Sequence, residues 1–432
     1  MTVIGGRPSQ SSLEAAIRGG VARQTELADT LARYRTRLPL RYWSQAAHFT
    51  TPAADETMGR KAVEGGTAPM VRILQRYAIA PTELADRLGE DPAVVEELLA
   101  RPRRAPLVML DGEDAQALRE DVRAEGVRAA SAILAEADWV GDGPGSLRFF
   151  RPPGFNLESS VPDLYRLLWA LAERSTPETF PLDGIVFPKI DHPEEVDLLY
   201  GILAEAERAL GLPGGRIRVA FLIESGWSAA QIAEIARRAA PRLCALIFGI
   251  ADYSADLGLP AIATDHPLTD WARAEIVNVA GAVGVPAIDG MTLDYPVADP
   301  TLDQAANRER ILARIALVYG DAVRAREIGM SGKWVGHPAQ LFAVLLAFEA
   351  GLRPADLERE AEKLAAYRTS VEDEARGATI IGGVMSDRAT DRHAREVLRR
   401  ATALGRFDPR RALDLGVIGP DEIDGSAAGG RP

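Results

Sequence analysis

Apolar positions in this chain fall into short unbroken runs separated by longer stretches with helical periodicity. The clearest runs are Ile217–Ile223, interrupted only by Arg218 and ending at Glu224, and Leu243–Gly249, followed by Ile250, Ala251 and Asp252. Continuous runs of this length suit strands buried on both faces, as in a parallel sheet covered by helices. Further strand candidates end near Phe49, Leu110, Phe150, Lys189, Ile288 and Gly336, with helical stretches between them. Eight strands alternating with helices predict an α/β fold, a (β/α)8 TIM barrel. A doubly wound open sheet is the alternative, but no Gly-rich dinucleotide fingerprint follows any strand.

The flanks break this rhythm. Residues 1–44 read as a helical extension, with Leu13, Ile17, Val21, Leu27 and Leu31 at helical spacing. The barrel is expected over 45–350, with a helical insertion at 66–105 whose stretch Pro81–Leu99 resembles a helix-turn-helix and is better read as a packed helical hairpin. The insertion falls between a helix and the next strand, so it is expected on the face opposite the catalytic one. Residues 351–424 read as a helical or lid region and 425–432 as a disordered tail.

Composition narrows the class. Apolar residues make up 47% of the 432 positions, enough for a large core, and the net charge of -12 argues against nucleic acid as the main partner. The single cysteine, Cys244, lies inside an apolar run and has no partner for a disulfide. No window is apolar enough for a membrane span, and the amino end lacks the apolar core of a secretory signal. A cytoplasmic protein is expected.

Polar groups gather at the carboxyl ends of the strands, where barrels carry their chemistry. In order they are Asp111-Gly112-Glu113-Asp114, Arg148, Lys189, Glu224, Asp252 and Lys333 to Gln340. Glu224 and Asp252 supply hard oxygen ligands with no cysteine or histidine between them, a donor set that suits Mg2+ better than zinc.

These motifs resemble the citrate lyase β-subunit and malyl-CoA lyase family of the HpcH/HpaI aldolase superfamily, over roughly residues 45–400. LDGEDA at 110–115 is similar to the family's LDLEDA, FPKI at 187–190 to its PK strand end, and FLIESGWSA at 221–229 to its IET segment. FGIADYSADLG at 248–258 and GKWVGHPAQ at 332–340 are similar to FGxxDxxxDLG and GKxxIHPxQ. Gly377–Arg395 resembles the family's GxGxxxxDGxMID segment. Two departures stand out: Gly112 replaces a bulky residue, and Phe150 replaces the asparagine of the VRxN strand.

The resemblance implies Mg2+ on Glu224 and Asp252, and a substrate-binding arginine at Arg148, with Arg151 close enough to take over. Beside it, Glu113 and Asp114 are expected to orient that arginine or hold metal-bound water at the substrate, and Lys189 to give electrostatic support or a salt bridge with a carboxylate of the 111–114 loop. Lys333, placed with the substrate-binding residues, is expected to contact an acidic group or loop backbone. Asp387 matches the acid/base that reaches a neighbouring subunit's site, which implies a homo-oligomer, a trimer or hexamer; its competing role is to cap the helix near Arg388. His337 is expected to close a strand end rather than act as a base. The implied activity is Mg2+-dependent cleavage or formation of a 3-hydroxyacyl-CoA of the malyl or citramalyl type, giving a 2-oxo acid and an acyl-CoA. A CoA-independent 2-oxo acid aldolase, with His48 as its only candidate base near the first strands, and a thioesterase or malate synthase-like enzyme are the alternatives.

Overall fold

The computed structural model describes residues 10–36, 38–117, 119–141, 145–372, 378–381 and 384–422. Eight strands close into a barrel in chain order: β1 (Ala47–Pro52), β2 (Leu107–Asp111), β3 (Leu147–Arg151), β4 (Gly184–Phe187), β5 (Arg218–Ile223), β6 (Leu243–Phe248), β7 (Ala287–Asp289) and β8 (Gly332–Val335). All neighbours are parallel, and β1 pairs with β8 through His48 and Trp334, which closes the ring and excludes the open sheet. Parallel neighbours need a crossover, and each gap between successive strands carries one or more helices.

The apolar runs follow from this closure. From Val219 to Ile223 and from Leu243 to Phe248 every residue is buried, because alternate side chains fill the barrel and the rest pack under helices. Cys244 is one of these buried residues. Helix starts are punctuated by proline: Pro267 and Pro338 open the helices Pro267–Val283 and Pro338–Glu349. The histidine before each accepts a backbone N–H through Nδ1, His266 from Leu268 and His337 from Ala339. Burial pushes His337 down to about 4, so its ring is a neutral cap.

The insertion forms three helices, Pro69–Arg76, Pro81–Leu88 and Pro92–Ala100. The last two pack as a hairpin, and the insertion lies against the helices Gln304–Ile328 and Pro338–Glu349. Arg87 pairs with Glu309, and Arg308 with Glu83, near the start of Gln304–Ile328. The insertion therefore clads the barrel's flank. Its last helix reaches the amino-terminal end, where Glu97 lies 3.6 Å from Arg406 of the tail. The middle helix climbs to the start of Gln304–Ile328, which corrects the expectation that all of the insertion would sit on the opposite face. A strand-to-strand connection of this length is long enough to climb the outer helices.

The tail is not wholly helical. Between the helices Pro354–Glu372 and Arg388–Ala403 lies an antiparallel hairpin, β9 (Thr379–Ile381) with β10 (Val384–Ser386). Arg388–Ala403 packs on the short 3-10 turn Leu40–Ser44 that enters β1, so it lies at the amino-terminal end of the barrel. The expected disorder at 425–432 falls outside the described residues. Among the described residues no helix is long and apolar enough to cross a membrane.

Candidate active site

The carboxyl ends of β2 to β6 bring one charged cluster to the barrel mouth. Asp111 and Arg151 end β2 and β3 in register, and the guanidinium grips the carboxylate with two hydrogen bonds, 2.7 Å from Nε and 2.5 Å from an Nη. Both are buried, at 1% and 5% exposure. The same carboxylate accepts the backbone N–H of Glu113 and of Ala115, which folds the loop after β2 over the arginine. The other terminal nitrogen of Arg151 meets Glu113 at 3.3 Å and half-exposed Asp114 at 3.4 Å. The guanidinium carbon lies over the Trp334 ring, 5.4 Å from its centroid.

Lys189 joins this group to the next two strands. Its backbone has φ 53°, a left-handed conformation that costs about 1 kcal/mol outside glycine. That turn aims its N–H at Glu224 Oε1, at 2.6 Å, while its ammonium donates to Asp252 Oδ1 at 2.6 Å. The ammonium also lies 3.7 Å from Asp114 and 4.0 Å from Glu224. Glu224 enters the mouth because residue 249 is glycine: a Cβ there would lie 2.4 Å from the Glu224 Cβ. Neither carboxylate is spent on capping its helix as an N-cap. Ser225 caps Gly226–Ala230, and Asp252 lies inside the first turn of Ile250–Asp256.

Five carboxylates thus face two cationic side chains, and two of the five are pushed up. Burial raises Glu113 to about 8 and Glu224 to about 7, against the opposing pull of Arg151 and Lys189 respectively. Burial acts on the Lys189 ammonium in the other direction, but Glu224, Asp252 and Asp114 together hold it above its ordinary value.

The donor set fits a hard divalent cation. Glu224 and Asp252 converge closely enough for one ammonium to meet both, and negative charge is in excess around them. Among the described residues no three acidic, histidine or cysteine groups are arranged to hold an ion alone. Mg2+ dehydrates reluctantly and is typically held by one or two carboxylates, with substrate and water oxygens completing its shell.

Two expected site residues lie elsewhere. Arg148 is three positions before Arg151, so it sits roughly 10 Å down the strand and on its opposite face. It packs over the Trp139 ring, and its nearest charges are Asp183, Arg41 and Arg216, at the barrel's amino-terminal end. Arg151 occupies the mouth in its place. Lys333 precedes Trp334, which lines the cavity, so Lys333 points outward beneath the helices. There its ammonium binds Asp289 at 2.6 Å and the Gly290 carbonyl at 2.7 Å, fully buried, with Arg273 on the same Asp289.

Asp387 is also apart from the cluster of its own chain. It caps Arg388–Ala403, accepting N–H bonds from Ala389 and Thr390 that hold its carboxyl below the usual range. His48 lies two residues below Thr50, which lines the mouth, and is buried in the barrel with Nε2 3.0 Å from Gln45. Sequence reasoning passed over Asp111 as the arginine's anchor, Gly249, Trp334 and Tyr295. Strand alternation was the usable signal for Trp334, since it and Lys333 cannot face the same way. The cavity at the mouth measures about 410 Å3.

Residues 42–429 match the model of a family described as a domain of unknown function, DUF6986. The chain is 27% identical over 283 residues to an L-malyl-CoA/β-methylmalyl-CoA lyase of Haloarcula marismortui, covering 65% of this chain and 73% of that protein. It is 28% identical over 330 residues to the protein of the same name from Rhodobacter capsulatus, covering 72% and 92%. A solved citrate lyase structure from Burkholderia xenovorans LB400 matches with TM-score 0.56 at 22% identity, over 86% of this chain and 96% of that one. The motifs pointed to proteins of these names, and the fold is shared with the citrate lyase structure.

Proposed function

The chain belongs to the DUF6986 family and is related to the citrate lyase β-subunit and malyl-CoA lyase family, and we propose that it is a carbon–carbon lyase that cleaves or forms a 3-hydroxyacyl-CoA. The products of cleavage are a 2-oxo acid and an acyl-CoA. The observation that carries this reading is the excess of carboxylates around Arg151 and Lys189 at the barrel mouth. Glu224 and Asp252 would hold Mg2+, which supplies Lewis-acid stabilisation of negative charge on the oxygens of a bound 2-oxo acid.

The chain's own groups do the rest. Arg151, fixed by Asp111 and lying over Trp334, offers the N–H donors that Asp111 leaves free, beside Glu113 and Asp114, to a substrate carboxylate or a thioester enolate oxygen. Lys189 adds positive charge on the side of Asp252. Glu113 and Asp114 keep the guanidinium turned toward the mouth. In cleavage a base takes the proton of the 3-hydroxyl, the bond between C2 and C3 breaks, and the enolate left on the thioester is protonated at carbon. The base we assign is Asp387 of a neighbouring copy, which makes the working enzyme a homo-oligomer, a trimer or hexamer; the acidic chain with a lone buried cysteine suits the cytoplasm.

A CoA-independent aldolase of this fold would draw on a base near the first strands, and buried His48 does not reach the mouth. The test is a cleavage assay on malyl-, citramalyl- and β-methylmalyl-CoA, with Mg2+ or with EDTA, on the wild type and Asp252→Ala. Mg2+-dependent release of a 2-oxo acid that the variant loses, with its fold intact by circular dichroism, is expected. Undiminished turnover in EDTA would remove the mechanism.

A further inference from the structure

The two halves of the barrel mouth differ in chemistry. All its charges come from β2 to β6 and the loops after them. Among the described residues the other half, built on β7, β8 and β1, brings no charged side chain to the cavity. It presents Pro52, Met58, Met291, Leu293, Tyr295 and Trp334, and its polar side-chain groups are the Thr50 hydroxyl, the phenol and the Trp334 indole N–H. Met58 and Leu293 form its rim, at 47% and 48% exposure, beside the open end of the cavity.

This wall is held in place. A Cβ at Gly336 would lie 2.1 Å from the Tyr295 hydroxyl oxygen and 3.0 Å from its ring carbon, so the phenol lies across the mouth only because residue 336 has no side chain. The GKxxIHPxQ pattern has isoleucine at that position. The Tyr295 hydroxyl donates to the Met291 sulfur at 3.0 Å, and the Tyr295 carbonyl accepts from Arg314 at 2.7 Å. The phenol thus spends its donor on a soft acceptor and presents its ring to the cavity. A carboxylate placed against Met58, Met291 and Leu293, on the side away from Arg151, would be desolvated with no cationic side chain lining that part of the cavity, whereas an alkyl group would gain from leaving water.

We infer that the 2-oxo acid carries an apolar chain larger than a methyl group, seated against Met58, Met291, Leu293 and Tyr295, and that Tyr295 and Gly336 determine this specificity. The inference rests on the reaction proposed above and names its substrate class: branched or aromatic 2-oxo acids rather than glyoxylate or a dicarboxylic 2-oxo acid. Each methylene accommodated in such a pocket is worth roughly tenfold in selectivity.

The test uses three probes on the full chain with Mg2+: 4-methyl-2-oxopentanoate, the similarly sized but dianionic 2-oxoglutarate, and glyoxylate. Binding is measured by calorimetry, and condensation with acetyl-CoA is followed by mass spectrometry of the 3-hydroxyacyl-CoA formed. The branched acid is expected to bind about tenfold or more tightly than either of the others. Leu293→Asp, a substitution at a half-exposed position, should erase that ratio, and Gly336→Ala, which displaces the phenol, should lower it. Equal or tighter binding of glyoxylate or 2-oxoglutarate overturns the inference whether or not any acid is turned over. A preference for the branched acid with no carbon–carbon bond formed from any of the three would instead sink the proposed reaction and leave the apolar subsite standing.

Discussion

Burial holds the His48 imidazole at about 3, far below its ordinary 6.5, so the ring is neutral in the folded chain at any working pH. The unfolded chain takes up a proton on this residue below about 6.5. A folded value lying below the unfolded one means the stabilisation is complete above pH 6.5 and is lost as pH falls from there toward 3, by about 1.4 kcal/mol per pH unit. Ring NMR signals of His48 should therefore show no titration in the folded protein down to pH 4. A midpoint near 6 would show that the barrel admits water at this layer. A second expectation concerns the two arginines of β3. Arg151→Lys breaks the two-point grip on Asp111 and should lower kcat/KM by about 100-fold or more. Arg148→Ala loses the contact with Trp139 and the attraction of Asp183, both away from the mouth, and should leave turnover unchanged. Loss of activity in Arg148→Ala would return that residue to the site. The sequence could not rank this pair, because a strand end is uncertain by a residue or two and each step turns a side chain to the other face. The family motif fixed the strand that bears an arginine, and only strand parity selects which one.

At the scale of elements, Asp387 has two roles that a single substitution separates. As an N-cap its carboxylate accepts two backbone N–H groups, and Asp387→Ala should cost about 1 kcal/mol. Serine caps about as well but cannot accept a proton from a substrate hydroxyl. If a neighbour's site uses this carboxylate, Asp387→Ser keeps its melting temperature and loses turnover, and mixing it with Glu224→Ala subunits restores part of it. Full activity in Asp387→Ser would confine the residue to capping. The outward face of β8 carries another prediction. Lys333, Asp289 and Arg273 form a buried ionic set between the barrel and the helix Pro267–Val283. Lys333→Met strips one positive charge from a carboxylate that keeps the other, and should destabilise by about 3 kcal/mol. Calorimetry reads this directly, and a change under 1 kcal/mol would refute it. The eight strands were legible in the sequence, most clearly β5 and β6 as apolar runs, since a strand buried on both faces has little room for polar alternation. β1, with His48, Thr50 and Thr51, and β3, with Arg148 and Arg151, carry a weaker pattern. The β9–β10 hairpin was not, because three-residue strands with Ile380 and Met385 turned outward are too short and exposed to carry a pattern.

At the scale of the whole molecule, the two ends of the chain relate to the barrel in opposite ways. The helix Gln10–Ala32 leaves Leu13, Ile17, Val21, Leu27 and Leu31 each between 53% and 60% exposed. Its helical spacing was readable in the sequence, but spacing says only that one face is apolar, not what that face meets. The first firm anchor comes after it, where the Thr36 N–H donates to the Val283 carbonyl and its hydroxyl to the Ala240 carbonyl. The tail, in contrast, is part of the core. Ala394, Leu398 and Ala401 are buried, Arg103 spans Glu349 and the Leu404 carbonyl, and Arg406 approaches the same Glu349. Burial raises Glu349, and the two arginines oppose that rise, so removing the tail takes one of the charges that compensate a buried carboxylate. Deleting residues 1–32 should shift the melting temperature by less than about 2 °C, as surface changes do. Deleting residues 354–432 should leave no soluble, cooperatively melting protein. A drop of about 10 °C on losing the first helix would mean that its apolar face is covered in solution, and light scattering on the same sample would then show whether a second copy covers it.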